Sequence, residues 1–204
     1  MIFKEFPKIP RLNREIVITE KIDGTNAALV IVQEFEVSSQ PGGPFTERVN
    51  THPYEIARAS GLVMFAQSRS KFIKPGEDNF GFATWAAENS TELFKLGPGE
   101  HYGEWWGAGI NKRYQGAPKK FSLFNTHKWS DVNTRPTVCD VVPTLYQGPF
   151  SQSRIDQALT GLRERGSVVW PACTKPEGII IYHTAAKQLF KVTCEKDESP
   201  KSAT

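Results

Sequence analysis

Residues 16 to 23, IVITEKID, alternate apolar and polar side chains with a period of two. That is the period of a strand, not of a helix. Ile16, Ile18 and Ile22 fall on one face together with Glu20, and Val17, Thr19, Lys21 and Asp23 fall on the other. The next stretch, DGTN, is followed by AALVIV (27–32), a second strand, so the spacing predicts a hairpin closed by an Asp-Gly turn. Strands this early in a chain need partners, and the sequence offers them. VMFAQSR (63–69), HYGEWWG (101–107), KFSLFNT (120–126), EGIIIYH (177–183) and KQLFKVT (187–193) all read as strands, the last two as a pair. CDVVPTLY (139–146) reads as a strand interrupted or ended at Pro143.

Two segments read as helices. In 78–95, Phe82, Trp85, Ala86 and Leu93 form an apolar face, and Gly97-Pro98-Gly99 stops it. In SQSRIDQALTGLRERG (151–166), Ser151 is placed to cap while Ile155, Leu159 and Leu162 point inward. Residues 36–50 contain SSQPGGPF and read as a mobile loop, and the polar tail EKDESPKSAT (195–204) reads as disordered. The order is no regular strand-helix alternation. The expected class is α+β: antiparallel sheets flanked by helices, with a cleft between the sheets.

Composition narrows the function classes. At 204 residues the chain suits one large domain or two small ones. No apolar run approaches the roughly 20 residues of a membrane span, and MIFKEFPKIPRLNR lacks the pattern of a secretory signal. Cys139, Cys173 and Cys194 form no CxxC pair and read as reduced thiols of a cytoplasmic protein. The net charge of +3 is compatible with a nucleic-acid partner without being evidence for one. Local basic clusters occur at Lys112, Arg113, Lys119 and Lys120, and again at Arg154, Arg163 and Arg165. Most such clusters are solvated surface charge.

Lys21 and Asp23 carry the first chemical question. With a pKa near 10.4, only about one lysine in a thousand is a free amine at neutral pH. A nucleophilic lysine therefore needs burial, a second cation or a metal. Asp23 alone stabilises the ammonium instead. The pair makes chemical sense if a divalent metal satisfies Asp23 and depresses the lysine pKa. Taken alone, KIDG also reads as an exposed pair beside a turn.

The rest of the chain bears on that choice. EKIDGTN (20–26) resembles the first motif of the covalent nucleotidyltransferases (DNA ligases, RNA ligases and mRNA capping enzymes), whose signature is Lys-x-Asp-Gly. QSRSKFI (67–73) resembles their next motif, with Arg69, and YGEWWGAGINK (102–112) the third, with Glu104. KKFSLFNT (119–126) resembles the block whose aromatic stacks on the nucleobase, PEGIIIY (176–182) the motif with Glu177, and LFKVT (189–193) the last, with Lys191. All six blocks stand in the family order. The resemblance implies ATP as substrate, Mg²⁺ or Mn²⁺ as metal, and a lysine–AMP intermediate on Lys21. AMP then passes to a nucleic-acid 5′-phosphate, and a 3′-hydroxyl displaces it to seal the strand.

These residue types suit ATP on chemical grounds as well. Phe124 or Phe121 offers a π-face for adenine. Glu104 can accept from ribose hydroxyls, Arg69 and Lys191 can meet phosphates, and Asp23 with Glu177 can hold the metal. Glu20 and Asn26 complete the expected ATP-binding set. Asn26, five residues past Lys21, is similar to the asparagine of the phage-type, nick-sealing RNA ligases, where it serves the steps after lysine adenylylation. The resemblance thus favours RNA over DNA as substrate, in the cytoplasm (of the host cell if phage-encoded). DNA ligation, or AMP transfer without sealing, are the alternative activities, and a non-catalytic nucleic-acid-binding module is the weakest reading.

The expected organisation is one adenylyltransferase domain over 1–193, a disordered tail over 194–204, and no OB-fold, since the chain ends 13 residues past Lys191. An accessory protein is then a candidate to supply substrate binding. One departure from the family is visible: the last motif normally reads Lys-x-Lys, and here Leu189 and Thr193 stand at that spacing from Lys191, with Lys187 as a candidate replacement.

Overall fold

The computed structural model describes residues 3–34 and 52–195; the expected loop at 36–50 and the tail from 196 onward lie outside the described residues. In chain order the strands are β1 (Glu15–Lys21), β2 (Thr25–Gln33), β3 (Glu55–Ala59), β4 (Leu62–Ser68), β5 (Phe72–Ile73), β6 (Gly99–Trp106), β7 (Lys120–Leu123), β8 (Cys139–Val141), β9 (Thr144–Pro149), β10 (Gly178–His183) and β11 (Gln188–Thr193). The helices are α1 (Phe82–Glu88), α2 (Ser90–Leu93), α3 (Thr126–Trp129) and α4 (Gln152–Arg165). The class is α+β, as the sequence predicts. The chain forms two compact units: a terminal unit from Met1–Lys21 and Pro143–Thr204, and a central unit, Ile22–Val142. Among the described residues no helix is long and apolar enough to cross a membrane.

The terminal unit is an antiparallel sheet in the order β11-β10-β1-β9. Its register pairs Ile18 with Ile181 and Glu20 with Ile179. Cross-strand partners share a face, so Ile16, Ile18, Ile179 and Ile181 form one apolar surface. Helix α4 covers it with Ile155, Leu159 and Leu162, the three inward residues its spacing predicts. Ser151 does occupy the position before α4, but its side chain makes no capping bond; its carbonyl accepts from Arg154 and Ile155 instead. The other face of the sheet carries Thr19, Lys21, Ile180 and Lys191.

The central unit is a larger sheet in the order β3-β4-β2-β6-β7-β8, with β5 on β4. Here β8 runs parallel to β7, so this sheet is mixed rather than wholly antiparallel. One face packs Leu29, Ile31, Met64, Trp105 and Phe121 against Phe82 and Ala86 of α1 and Leu93 of α2.

Two expectations about the strands are corrected, and the expected break at Pro143 is found. β1 and β2 do not form a hairpin: β1 pairs with β9 and β10, and β2 with β4 and β6, in separate sheets. The alternation of 16–23 accordingly ends as a strand at Lys21, and Asp23 lies beyond it. The segment around Pro143 is two strands, β8 in the central unit and β9 in the terminal unit.

The single helix expected over 78–95 is shorter and broken. Phe80 and Gly81 both have left-handed backbone, φ 54° and 88°, so α1 starts only at Phe82. At its other end Asn89 donates its side-chain amide to the Trp85 carbonyl (2.8 Å), competing with the helical ladder. Asp78 caps α1 from outside it: Oδ1 accepts from Ala83 N (2.7 Å), and Oδ2 from Thr84 N (2.9 Å) and Thr84 Oγ1 (2.8 Å). Burial would raise the pKa of this carboxyl, but the donors from Thr84, Ala83 and Asn79 outweigh it and hold the pKa below 3.8. A lowered carboxyl pKa contributes stability above the unfolded value that is lost as pH falls through the folded one. Asp78→Ala is expected to cost about 1–2 kcal/mol at pH 7 by urea denaturation. The gap between wild type and Asp78→Asn should close as pH falls below 3.8.

Candidate active site

Lys21 ends β1, and its register partner on β10 is Gly178, next to Glu177 in the chain. That pairing brings together two residues 156 positions apart, and Lys21 Nζ is ion-paired with Glu177 Oε2. Glu177 is 6% exposed and Lys21 21%. A carboxylate this buried needs a partner, and Lys21 supplies it. Lys191 lies opposite Ile180, which lies opposite Thr19, so it shares the face of Lys21. It is two strands away, roughly 10 Å, and one side-chain step along, about 7 Å. Lys187 is in the turn before β11, at the far end of the strand pair from Thr193 and Gly178. Four residues of strand, about 13 Å, part it from Lys191, so the position does not suit the missing lysine of the motif.

Glu20 is placed differently. It faces the α4 side of the sheet, away from Lys21, and is 1% exposed. Its carboxylate accepts from Ser167 Oγ (2.5 Å) and Val168 N (2.8 Å), tying down the segment after α4. Burial raises its pKa above 4.5, opposed by those donors and the Val169 amide. Of the expected ATP-binding residues, this one is occupied in holding the fold.

In the central unit, Asn26 and Glu104 are direct cross-strand partners, and Ser122 on β7 is the next residue in the same row. This row is on the face opposite to that packed on α1. Glu104 Oε1 accepts from Gly24 N (3.1 Å). Gly24 is required here by close approach rather than by a turn: a Cβ would lie 2.4 Å from the Trp105 carbonyl oxygen and 2.8 Å from Trp106 Cβ. Arg69 is exposed, one residue past β4. Phe124 follows β7 and is 40% exposed, whereas Phe121 is wholly buried among core aromatics. Of the two aromatics considered for adenine, only Phe124 presents an open ring.

Asp23 is held by two residues the sequence reading did not assign to it. Arg113 Nε donates to Asp23 Oδ2 (2.7 Å), and the Asp23 amide donates to Tyr114 Oη (3.2 Å). Both lie on a 3-10 turn, Lys112–Tyr114, where the Arg113 amide donates to Asn111 Oδ1 (3.1 Å). Arg113 therefore belongs to Asp23 rather than to a solvated basic cluster. Tyr114 is in turn fixed edge-on against Trp106, whose indole N–H donates to Ser122 Oγ (2.8 Å). The local signal was the Asn111 cap followed by a basic and an aromatic residue, which by itself names no partner.

The two carboxylates expected to hold metal thus each face a cation, Asp23 with Arg113 and Glu177 with Lys21. Among the described residues no group of three or more His, Cys, Asp or Glu side chains is placed around a metal position. Mg²⁺ does not demand one: it keeps several waters and takes one or two carboxylates plus substrate phosphates. Each of the two carboxylates, Asp23 and Glu177, taken by itself, suits that mode of binding. The Cys139 thiol, pushed up to about 12 by burial, is no competing nucleophile.

The sequence pattern of the RNA ligase family matches residues 14–193, and the chain belongs to that family of ATP-dependent nucleotidyltransferases. No curated protein matches it in sequence. Solved structures of a Naegleria gruberi RNA ligase share its fold. One, an arginine-to-alanine mutant with ATP and Mn, is 15% identical with a TM-score of 0.56, covering 90% of this chain and 51% of that one. Another, with PPi, is 16% identical with a TM-score of 0.52, covering 89% and 50%. The chain thus spans about half the length of the Naegleria ligase.

Gly24→Ala is the direct check on the central-unit geometry. The added methyl meets backbone that is fixed in a sheet, so a loss of about 1–3 kcal/mol is expected in denaturant titrations. Tryptophan fluorescence should shift with it, since Trp105 and Trp106 are the residues displaced. An unchanged midpoint would contradict the close approach.

Proposed function

We propose that this protein is an ATP-dependent RNA ligase that works through a lysine–AMP intermediate on Lys21. The observation that carries the reading is the Lys21–Glu177 ion pair, formed between the first and fifth of the family's motifs and buried at the end of β1. Lys21 Nζ attacks the α-phosphorus of ATP, forming the N–P bond as the bond to pyrophosphate breaks. AMP passes to the 5′-phosphate of an RNA strand, and a 3′-hydroxyl then attacks that phosphate and releases AMP. The Naegleria ligase, solved with ATP and Mn and with PPi, supports the same ligand classes here.

The chain's own residues divide the work. In the ion pair Glu177 engages Lys21 Nζ. Glu177, beside Lys21, and Asp23, in the central unit, are the carboxylates assigned to Mg²⁺ or Mn²⁺, whose positive charge would compete with Lys21 for its carboxylate. Arg69 and Lys191 are assigned to phosphate charge, and Phe124 to stacking on adenine. Glu104, which accepts from Gly24 N, is assigned to the ribose hydroxyls. Asn26, its cross-strand partner, is assigned to the steps after adenylylation. Most of this is positioning and charge stabilisation, the usual means of catalysing phosphoryl transfer. The class, in this reading, is that of the phage-type nick-sealing ligases, with an accessory protein as a source of further RNA contacts.

Incubation with α-labelled ATP and Mg²⁺, followed by denaturing electrophoresis, tests the first step. Label should stay on the wild-type chain and fall to background in Lys21→Ala and Glu177→Ala. Label that persists in Lys21→Ala would sink the mechanism. A panel of 5′-phosphorylated nicks and single strands then separates sealing from AMP transfer alone, which would leave 5′-adenylylated ends, and separates RNA from DNA as substrate.

A further inference from the structure

In the terminal unit, α4, β9 and the segment after α4 enclose a groove of about 320 Å³ on the flank of the helix. Its floor is apolar: Leu145, Ala158, Leu162 and Val168, the last 55% exposed. Two arginines line it, Arg154 and Arg165, and no aspartate or glutamate does. Arg154 lies 5.5 Å from the centre of the Tyr146 ring and donates to Gln157 Oε1 (3.0 Å). Tyr146 is itself fixed by donating to the Pro149 carbonyl (2.9 Å).

Arg165 lies back across Gly161, where a Cβ would come within 2.4 Å of its Nη2. Glycine inside a helix costs roughly 1 kcal/mol relative to alanine; at this position it opens the space that the guanidinium fills. Among the described residues neither arginine is in a salt bridge. Two guanidinium groups in no salt bridge, beside an aromatic ring and an apolar floor, is the combination that single-stranded nucleic acid uses, phosphates on arginine and bases on apolar and aromatic surface, although Arg165 also lines the adjoining hollow with Asp156 and Glu164. The Arg165 guanidinium lies back over Gly161, seven positions along α4 from Arg154 or about 10 Å, a spacing that suits separate phosphates of one strand.

We propose that this groove binds a stretch of the polynucleotide substrate, with Arg154 and Arg165 on its phosphates and a base on the floor between them. The proposal rests on the ligase reading above for the identity of its occupant. The test is fluorescence anisotropy of a labelled, 5′-phosphorylated single-stranded RNA titrated with the full chain over a range of salt. Arg154→Gln/Arg165→Gln should weaken binding at least tenfold at low salt. The slope of log K against log salt should flatten by about 1.4, two contacts at roughly 0.7 each. Val168→Glu, which keeps both arginines and adds a carboxylate at an exposed position, should also weaken binding.

Adenylylation of each variant by ATP without RNA is the internal reference, because it reads Lys21 and folding but not the groove. Absence of label on the wild-type chain would defeat the ligase reading, while the anisotropy still reports on the groove. Normal label with RNA affinity and salt slope unchanged in both variants would overturn the groove. So would loss of binding to a polyglutamate peptide with RNA affinity intact, which would assign the groove to an acidic protein segment.

Discussion

The close approach of Gly24 to β6 is the contact on which the face of the central unit that carries Asn26 and Glu104 depends. With no Cβ at this position, the backbone lies against the Trp105 carbonyl and the Trp106 side chain. This sets the start of β2, so that Thr25 falls opposite Trp105 and Asn26 opposite Glu104. It also puts the Gly24 amide on Glu104. The two tryptophans then point to opposite sides, Trp105 into the aromatic core with Phe82 and Trp85, and Trp106 toward Tyr114. Tyr114 and Arg113 hold Asp23, so one missing methyl underlies the placement of Asp23, Asn26 and Glu104 together.

The terminal unit uses a different device. Its sheet separates apolar from charged residues by face: Ile16, Ile18, Ile179, Ile181 and the buried Glu20 turn to α4, while Lys21 and Lys191 turn the other way. A one-residue slip of β1 would exchange those faces, and the isoleucine alternation prevents it. Glu20 and Lys21, adjacent in the chain, therefore have unrelated roles. One carboxylate holds the segment after α4, and the lysine beside it meets Glu177.

Much of this was legible in the sequence because it follows from local periodicity. The period of two marked β1, strand-like segments marked β2, β4, β6, β7, β10 and β11, and the helical spacing of Ile155, Leu159 and Leu162 gave α4 its buried side. Pairing partners were less accessible, since an Asp-Gly sequence signals a permissive backbone without saying whether it serves a turn or a close contact. The same limit applies at Pro143, which marked a break but not a change of sheet. Arg113 and Tyr114 were missed because their link to Asp23 spans about 90 residues and no local pattern encodes it. Phe121 and Phe124 show the point in one block: three residues apart, they are equal candidates until burial separates them.

The division of the chain also orders events during synthesis. The central unit is one continuous segment, Ile22–Val142, and its partners are all available once that segment has left the ribosome. β1 is made before it, yet both strands that flank β1 come from beyond residue 143. The strand that carries Lys21 therefore remains unpaired while more than a hundred residues are added, and its isoleucines have no helix to cover them until α4 emerges. Its closure spans a long stretch of chain and is a slow, non-local step. Since Lys21 meets Glu177 only after β10 is made, the Lys21–Glu177 ion pair forms only once the whole central unit has been synthesised.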